Sequence, residues 1–247
     1  YAGNGAPPGP LEGLPVVLKE ETSIAGRSLR LGSLVTEGLV ADETHPVAER
    51  VLAAGALVHA RSTTPEFSCA AFTHSTLWGI TRNPWNPEFT PGGSSGGSGA
   101  ALASGTAYLA SGSDIGGSIR IPASFCGVVG FKPPYGRVPE QPPFNLDTYC
   151  HEGPMGRTVA DVALFQNVIA GPHPLDHASL PAVTIPAELG DVRGMHIALA
   201  VTLGDFPIDT EVEATHIGAL NLLEKKKKQK KLLKAVQQGL SRAQEVV

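Results

Sequence analysis

Two serine turns flanked by glycine, Gly92-Gly93-Ser94-Ser95-Gly96-Gly97 and Asp114-Ile115-Gly116-Gly117-Ser118, constrain this chain more than any other feature, with Ser94 and Ser118 twenty-four residues apart. Glycine serves where a backbone must take a positive φ or pass very close to another group. Two such turns within one stretch, 90–138, predict a site built from main-chain N–H groups and hydroxyls. Between the turns, residues 98–103 are small and apolar, and residues 106–110 read as a strand.

The rest of the chain supplies the frame. Leu14-Pro15-Val16-Val17-Leu18-Lys19 is a short apolar run with its proline at the start, where a strand tolerates one. Residues 44–55 read as a helix, with Thr44 as cap, Pro46 in the first turn and Gly55 as stop; residues 56–60 read as the strand that follows. A second capped helix is expected over 158–170, with Thr158 at the N-cap and Asp161 at N3, stopped by Gly171-Pro172. Residues 195–201 look strand-like, and a further helix is expected over 210–222. Residues 61–86 and 139–150 read as loops and 153–157 as the lead-in to a helix, with Trp78 and Trp85 packed beneath the loops. Helices alternating with short apolar strands favour an α/β layer arrangement.

Charge narrows the function classes. Residues 1–220 carry a balance of −10, whereas residues 221–247 carry +6, so the body has no footprint for nucleic acid. The basic character sits in a Lys-rich tail whose composition matches nothing upstream, which suggests a longer natural chain cut short near Leu222. No apolar run approaches the ~18 residues of a membrane helix. Cys69, Cys126 and Cys150 form no CxxC pair, and the histidines show no HExxH or HxH spacing, so no metal or other cofactor is expected. An odd set of scattered cysteines fits a reducing, cytoplasmic compartment.

Two chemistries remain open from the residues alone. Gly93-Ser94-Ser95-Gly96-Gly97 satisfies G-x-S-x-G, a nucleophile elbow with Ser95 at its centre, but a Pro-rich turn stands where the preceding strand should be. The alternative uses both turns and a lysine. Serine is a weak nucleophile without a base, and the first 220 residues hold only two lysines, Lys19 and Lys132. Lys19 ends an apolar strand, where burial favours the neutral amine that a base requires. The successive N–H groups of Ile115, Gly116, Gly117 and Ser118 would then receive an oxyanion.

The run GGSSGGSGAALASG…SGSDIGGSIRIPASFCGVVGFKPPYGRV, with GLPVVLKE and TRNPWNPEFTPGG before it and GPMGRTVADVA after it, closely resembles the amidase signature enzymes. The resemblance implies a mixed central sheet covered by helices on both faces, incomplete here at both ends. Residues 1–222 would form a partial domain of that kind, and 223–247 a Lys-rich tail that is disordered or helical in a non-native way. It also implies a Ser–cisSer–Lys triad in which Lys19 is the base, Ser94 the relay and Ser118 the acylated nucleophile. The oxyanion hole would comprise Ile115, Gly116, Gly117 and Ser118, with Ser95, Ser113, Asp114 and Arg120 in support and Lys132 in a structural pairing. The implied activity is hydrolysis of a small carboxylic amide, with a homodimer as an open expectation. The competing readings are a glutaminase-type subunit of an amidotransferase and an inactive fragment. Two departures stand out: Ser113 replaces a common threonine, and Ala60-Arg61-Ser62-Thr63 replaces a Gly-Lys-Thr pattern.

Overall fold

The computed structural model describes residues 7–190, 195, 196, 198, 200 and 206–227. The chain divides into two compact units, Tyr1–Ala187 and Glu188–Val247. In the first unit the order is β1 (Pro15–Lys19), α1 (Pro46–Ala53), β2 (Leu57–Ser62), β3 (His74–Ser75), β4 (Gly79–Ile80), α2 (Gly96–Ala103), β5 (Leu109–Asp114), α3 (Arg120–Cys126), β6 (Val129–Gly130), β7 (His151–Gly156) and α4 (Val159–Ile169). The five-stranded sheet runs β2-β1-β5-β7-β6. The first three strands are parallel to one another, while β7 lies antiparallel to both β5 and β6.

Strand alternation builds one core on each face of this mixed sheet. Val16, Leu18 and Leu109 pack with Val47 and Val51 of α1 and Phe165 and Ile169 of α4. Val17, Ala110 and Met155 pack with Leu102 of α2 and Ala123 of α3. Successive residues of a strand face opposite sides, so both faces of β1 and β5 are covered by helices. Parity puts Lys19, the last residue of β1, on the side of Val17 and α2.

Several expectations shift in register. The strand foreseen over 106–110 begins at Leu109 and continues through Ser-Gly-Ser to Asp114; Thr106 and Ala107 instead close the end of α2 by donating to the Ala101 carbonyl. Central pairing with β1 and β7 overrides the low strand propensity of Ser111, Gly112 and Ser113. The cap of α1 is His45 rather than Thr44: His45 Nδ1 accepts the Val47 N–H at 3.1 Å, while Thr44 Oγ1 accepts from the Ala25 N–H. The lead-in at 153–157 belongs instead to β7. The capping box of α4 forms as expected, with Thr158 and Asp161 each accepting the other's backbone N–H. Trp78 and Trp85 do not lie beneath the loops: they are largely exposed, each held by its indole N–H, to Glu20 Oε2 and the Cys126 carbonyl respectively.

In the second unit, α5 (Thr210–Lys227) covers the helix foreseen from Thr210 and runs on past Leu222. Met195, His196, Ala198 and Ala200 lie in no strand, and the other positions of that expected strand fall outside the described residues. Residues 228–247 of the expected tail fall outside them as well. Among the described residues, no helix is long and apolar enough to cross a membrane.

Candidate functional site

The site forms where β1 and β5 end and α2 and α3 begin. Lys19 is fully buried, and its Nζ lies 2.7 Å from Ser94 Oγ, 2.9 Å from Ser113 Oγ and 2.8 Å from Glu21 Oε1. The backbone of Lys19 is fixed as well, since its N–H donates to Ser111 Oγ at 2.9 Å.

Ser94 follows a cis peptide bond after Gly93 and sits just ahead of α2. A Cβ on Gly93 would stand 2.6 Å from the backbone N and O of Phe72, which is why glycine occupies that position. Thr73 secures the turn, donating to the Gly92 carbonyl at 2.9 Å and accepting the Gly96 N–H at 3.1 Å. That acceptor satisfies one of the unpaired amides at the start of α2.

The second serine turn is organised by Asp114. Its buried carboxylate accepts from the N–H of Gly117 at 2.7 Å, from those of Ile119 and Arg120 at 3.2 Å, and from Arg120 Nε and Nη2 at 2.9 and 2.8 Å. Burial works against that charge, but the Arg120 guanidinium and the three backbone donors outweigh it and hold the carboxyl below its ordinary value. Asp114 and Arg120 therefore brace the loop. The Gly117 N–H is turned to Asp114, whereas the N–H groups of Gly116 and Ser118 meet no acceptor among the described residues.

Ser118 is half-buried, and the two turns are tied by the Ser95 N–H donating to the Ser118 carbonyl at 3.1 Å. No hydrogen bond joins the Ser94 and Ser118 hydroxyls among the described residues, although both line one cavity of about 470 Å³. Catalytic contacts are often open before substrate arrives. Ser95 is fully buried and does not line that cavity. Lys132 makes no hydrogen bond or ion pair among the described residues, so the structural pairing expected of it does not form.

Three acidic residues of the site escape a motif reading. Glu21 accepts from Lys19, from Ser113 Oγ and from Ser68 Oγ. Burial would raise its carboxyl, yet the Lys19 charge and these hydrogen bonds draw it below the ordinary value. A signal existed, because residues two apart at a strand end share a side. Glu140 and Glu152 carried no local signal. Glu152 reaches the site only because β7 pairs it directly opposite Ser113.

One group of donors has metal-like spacing: atoms of His45, Glu140 and Glu152 all lie within 4.8 Å of one another. The cap of α1 decides the tautomer there. Because His45 Nδ1 accepts the Val47 N–H, Nε2 carries the proton and donates it to Glu140 Oε1 at 2.7 Å, so neither ring nitrogen is free to ligate. Cys150 also lines the cavity, but burial and the nearby Glu140 and Glu152 charges push its thiol far up, away from the thiolate a nucleophile needs.

The family model described as Amidase matches residues 1–235. The amidotransferase protein of Methylacidiphilum infernorum that forms the first subunit of its glutamyl-tRNA(Gln) enzyme is 45% identical over 174 residues, covering 69% of this chain and 35% of that protein. A bacterial aryl acylamidase of the amidase signature enzymes superposes with a TM-score of 0.84 at 34% identity, covering 90% of this chain and 47% of the other. A 6-aminohexanoate cyclic dimer hydrolase superposes with a TM-score of 0.81 at 36% identity, covering 87% and 47% respectively. The chain spans less than half the length of each of these relatives.

Proposed function

Because this chain belongs to the amidase family, whose model matches residues 1–235, we propose that it hydrolyses a carboxylic amide through Lys19, Ser94 and Ser118, with an acyl-enzyme on Ser118. The observation that carries this reading is the buried Lys19 Nζ at 2.7 Å from Ser94 Oγ, in a cavity that Ser118 also lines.

The proton inventory fits. In the amine form, Lys19 offers two N–H groups and one lone pair to three partners: Glu21 Oε1, Ser113 Oγ and the hydroxyl of Ser94. Ser113 passes its own proton to Glu21. Ser94 then gives its proton to Nζ and takes that of Ser118, whose oxygen bonds to the carbonyl carbon. The Gly116 and Ser118 N–H groups receive the oxygen's developing charge, each such donor being worth about 3 kcal/mol of barrier. The C–N bond breaks as the proton returns along the same path to the departing amine. Water, deprotonated by that route, releases the acid and restores Ser118.

Treatment with a fluorophosphonate tests this reading: labelling is expected on Ser118 and is lost in Ser118→Ala, along with amide turnover. Labelling elsewhere, or turnover that survives Ser118→Ala, counts against it. The similarity to a glutamyl-tRNA(Gln) amidotransferase component favours one second reading, a glutaminase role within an assembly. Glutamine hydrolysis that appears only with partner proteins would support it, and a pull-down returning none would remove it. An inactive fragment would show no cooperative thermal transition.

A further inference from the structure

We propose that the cavity takes an amide whose chain carries an ammonium group, and that Glu152, with Glu140 beside it, receives that cation. The inference rests on the amidase reading of the same cavity, and it adds the class of substrate.

The charge of the lining comes first. Glu21, Asp42, Glu43, Glu140 and Glu152 all face the cavity, with no Lys or Arg among the described lining residues. Two of these carboxylates already have strong partners. Glu21 is matched by Lys19 at 2.8 Å, and Glu140 Oε1 accepts from His45 Nε2 at 2.7 Å and the Gln141 N–H at 3.0 Å.

Glu152 differs from both. It is only 3% exposed, it lines the cavity, and its Oε2 has no hydrogen-bond partner among the described residues. A buried carboxylate without a donor is costly, and such groups in folded proteins are normally paired. Its position is fixed by the sheet, because Glu152 stands opposite Ser113, which in turn contacts Lys19. Side chains directly opposed on a ladder are about 5 Å apart at Cβ. The orphaned oxygen thus belongs to the wall of the catalytic cavity.

The occupant follows from the donors it must bring. A metal ion would find two carboxylates but no imidazole, since His45 keeps its Nε2 proton for Glu140. An ammonium needs no lone pair from histidine, brings three N–H donors and supplies the missing charge. Burial, with the charges of Glu140 and Glu21 nearby, pushes the Glu152 carboxyl well above its ordinary value, a penalty that an entering cation relieves. Leu29, Leu31, Phe67 and Phe144 line the same cavity and suit a methylene chain between the ammonium and the scissile amide.

The test compares 5-aminopentanamide with its neutral isostere hexanamide, using the full chain. Wild type is expected to favour the ammonium amide by about tenfold or more in kcat/KM, the scale of one charge-assisted hydrogen bond. Glu152→Gln is expected to bring that ratio toward unity. Equal rates for the two amides in wild type overturn the proposal and leave the amidase reading standing, whether or not the variant folds. A binding arm separates the two ideas: pentylammonium should raise the melting temperature of wild type where pentanol does not. If that shift appears and is lost in Glu152→Gln while no amide is turned over, the cation site stands and the amidase reading falls. Stabilisation by Mn²⁺ or Zn²⁺ but not by pentylammonium overturns the proposal, as does the absence of any shift.

Discussion

Glu21 Oε1 lies 2.8 Å from Lys19 Nζ, so the lysine that ends β1 meets a carboxylate two residues further along the same chain. The pair is buried on the lysine side, and Ser113 and Ser68 donate to the same carboxylate. Removing one partner of such a pair strands the other charge. Glu21→Gln is therefore expected to lower stability by about 3 kcal/mol, measured by urea unfolding. The double replacement Lys19→Met/Glu21→Leu should recover part of that loss, because no uncompensated charge remains. A single variant as stable as wild type would show that the pair contributes nothing to the fold.

Asp114 gives the pH dependence its sign. Its folded value is depressed below the ordinary 3.8, because Arg120 and the three backbone N–H groups outweigh burial. Stability from this group is present above 3.8 and is lost as the pH falls through the folded value. Melting curves collected downward from neutral pH should lose stability progressively in that acid window. Asp114→Asn should be less stable at neutral pH and show a shallower acid dependence. An unchanged slope would mean that the carboxylate ionises as freely in the fold as in the open chain.

Much of this was readable in the residues, and the reason is locality. Lys19, Ser94 and Ser118 sit in motifs whose glycines and neighbours lie within a few positions, and α4 announces itself through Thr158 and Asp161. What was hidden is whatever depends on pairing between distant segments. Ser-Gly-Ser reads as a turn until β1 and β7 flank it, and His-Glu-Gly-Pro reads as a lead-in until β5 lies alongside. Glu152 enters the cavity through that pairing alone. Thr44 and His45 are equally local, yet tertiary contacts decide between them, because Thr44 is drawn to the Ala25 N–H.

Close approach of backbones makes Gly97 sensitive. A Cβ there would come within 2.5 Å of the backbone N and O of Thr63, which follows β2. Main chain cannot swing aside as a flexible side chain can, so α2 must move away. Gly97→Ala is expected to destabilise by about 1–3 kcal/mol and to lower turnover further, since α2 carries Ser94 at its start. Thermal melting beside kcat/KM checks both. A variant unchanged in either would mean that α2 can slide without disturbing the lysine contact.

Ser95 and Ser118 separate the two serine chemistries. Ser95 has no exposed surface, its N–H is used by the Ser118 carbonyl, and its side chain packs against Gly112, where an added Cβ would stand 2.8 Å from its Oγ. A fluorophosphonate can reach a hydroxyl only where a phosphorus atom and its substituents fit. Ser118 lines the cavity beside Ser94 and carries its own N–H toward the same space. Mass spectrometry of the labelled chain should thus place the adduct on the peptide containing Ser118, and Ser95→Ala should keep full labelling. Ser94→Ala should slow labelling by about a hundredfold or more, the usual contribution of positioned proton transfer, because Ser118 then loses its path to Lys19. An adduct on Ser95 would overturn this assignment and require the α2 turn to open, since no surface of that residue is accessible in the fold.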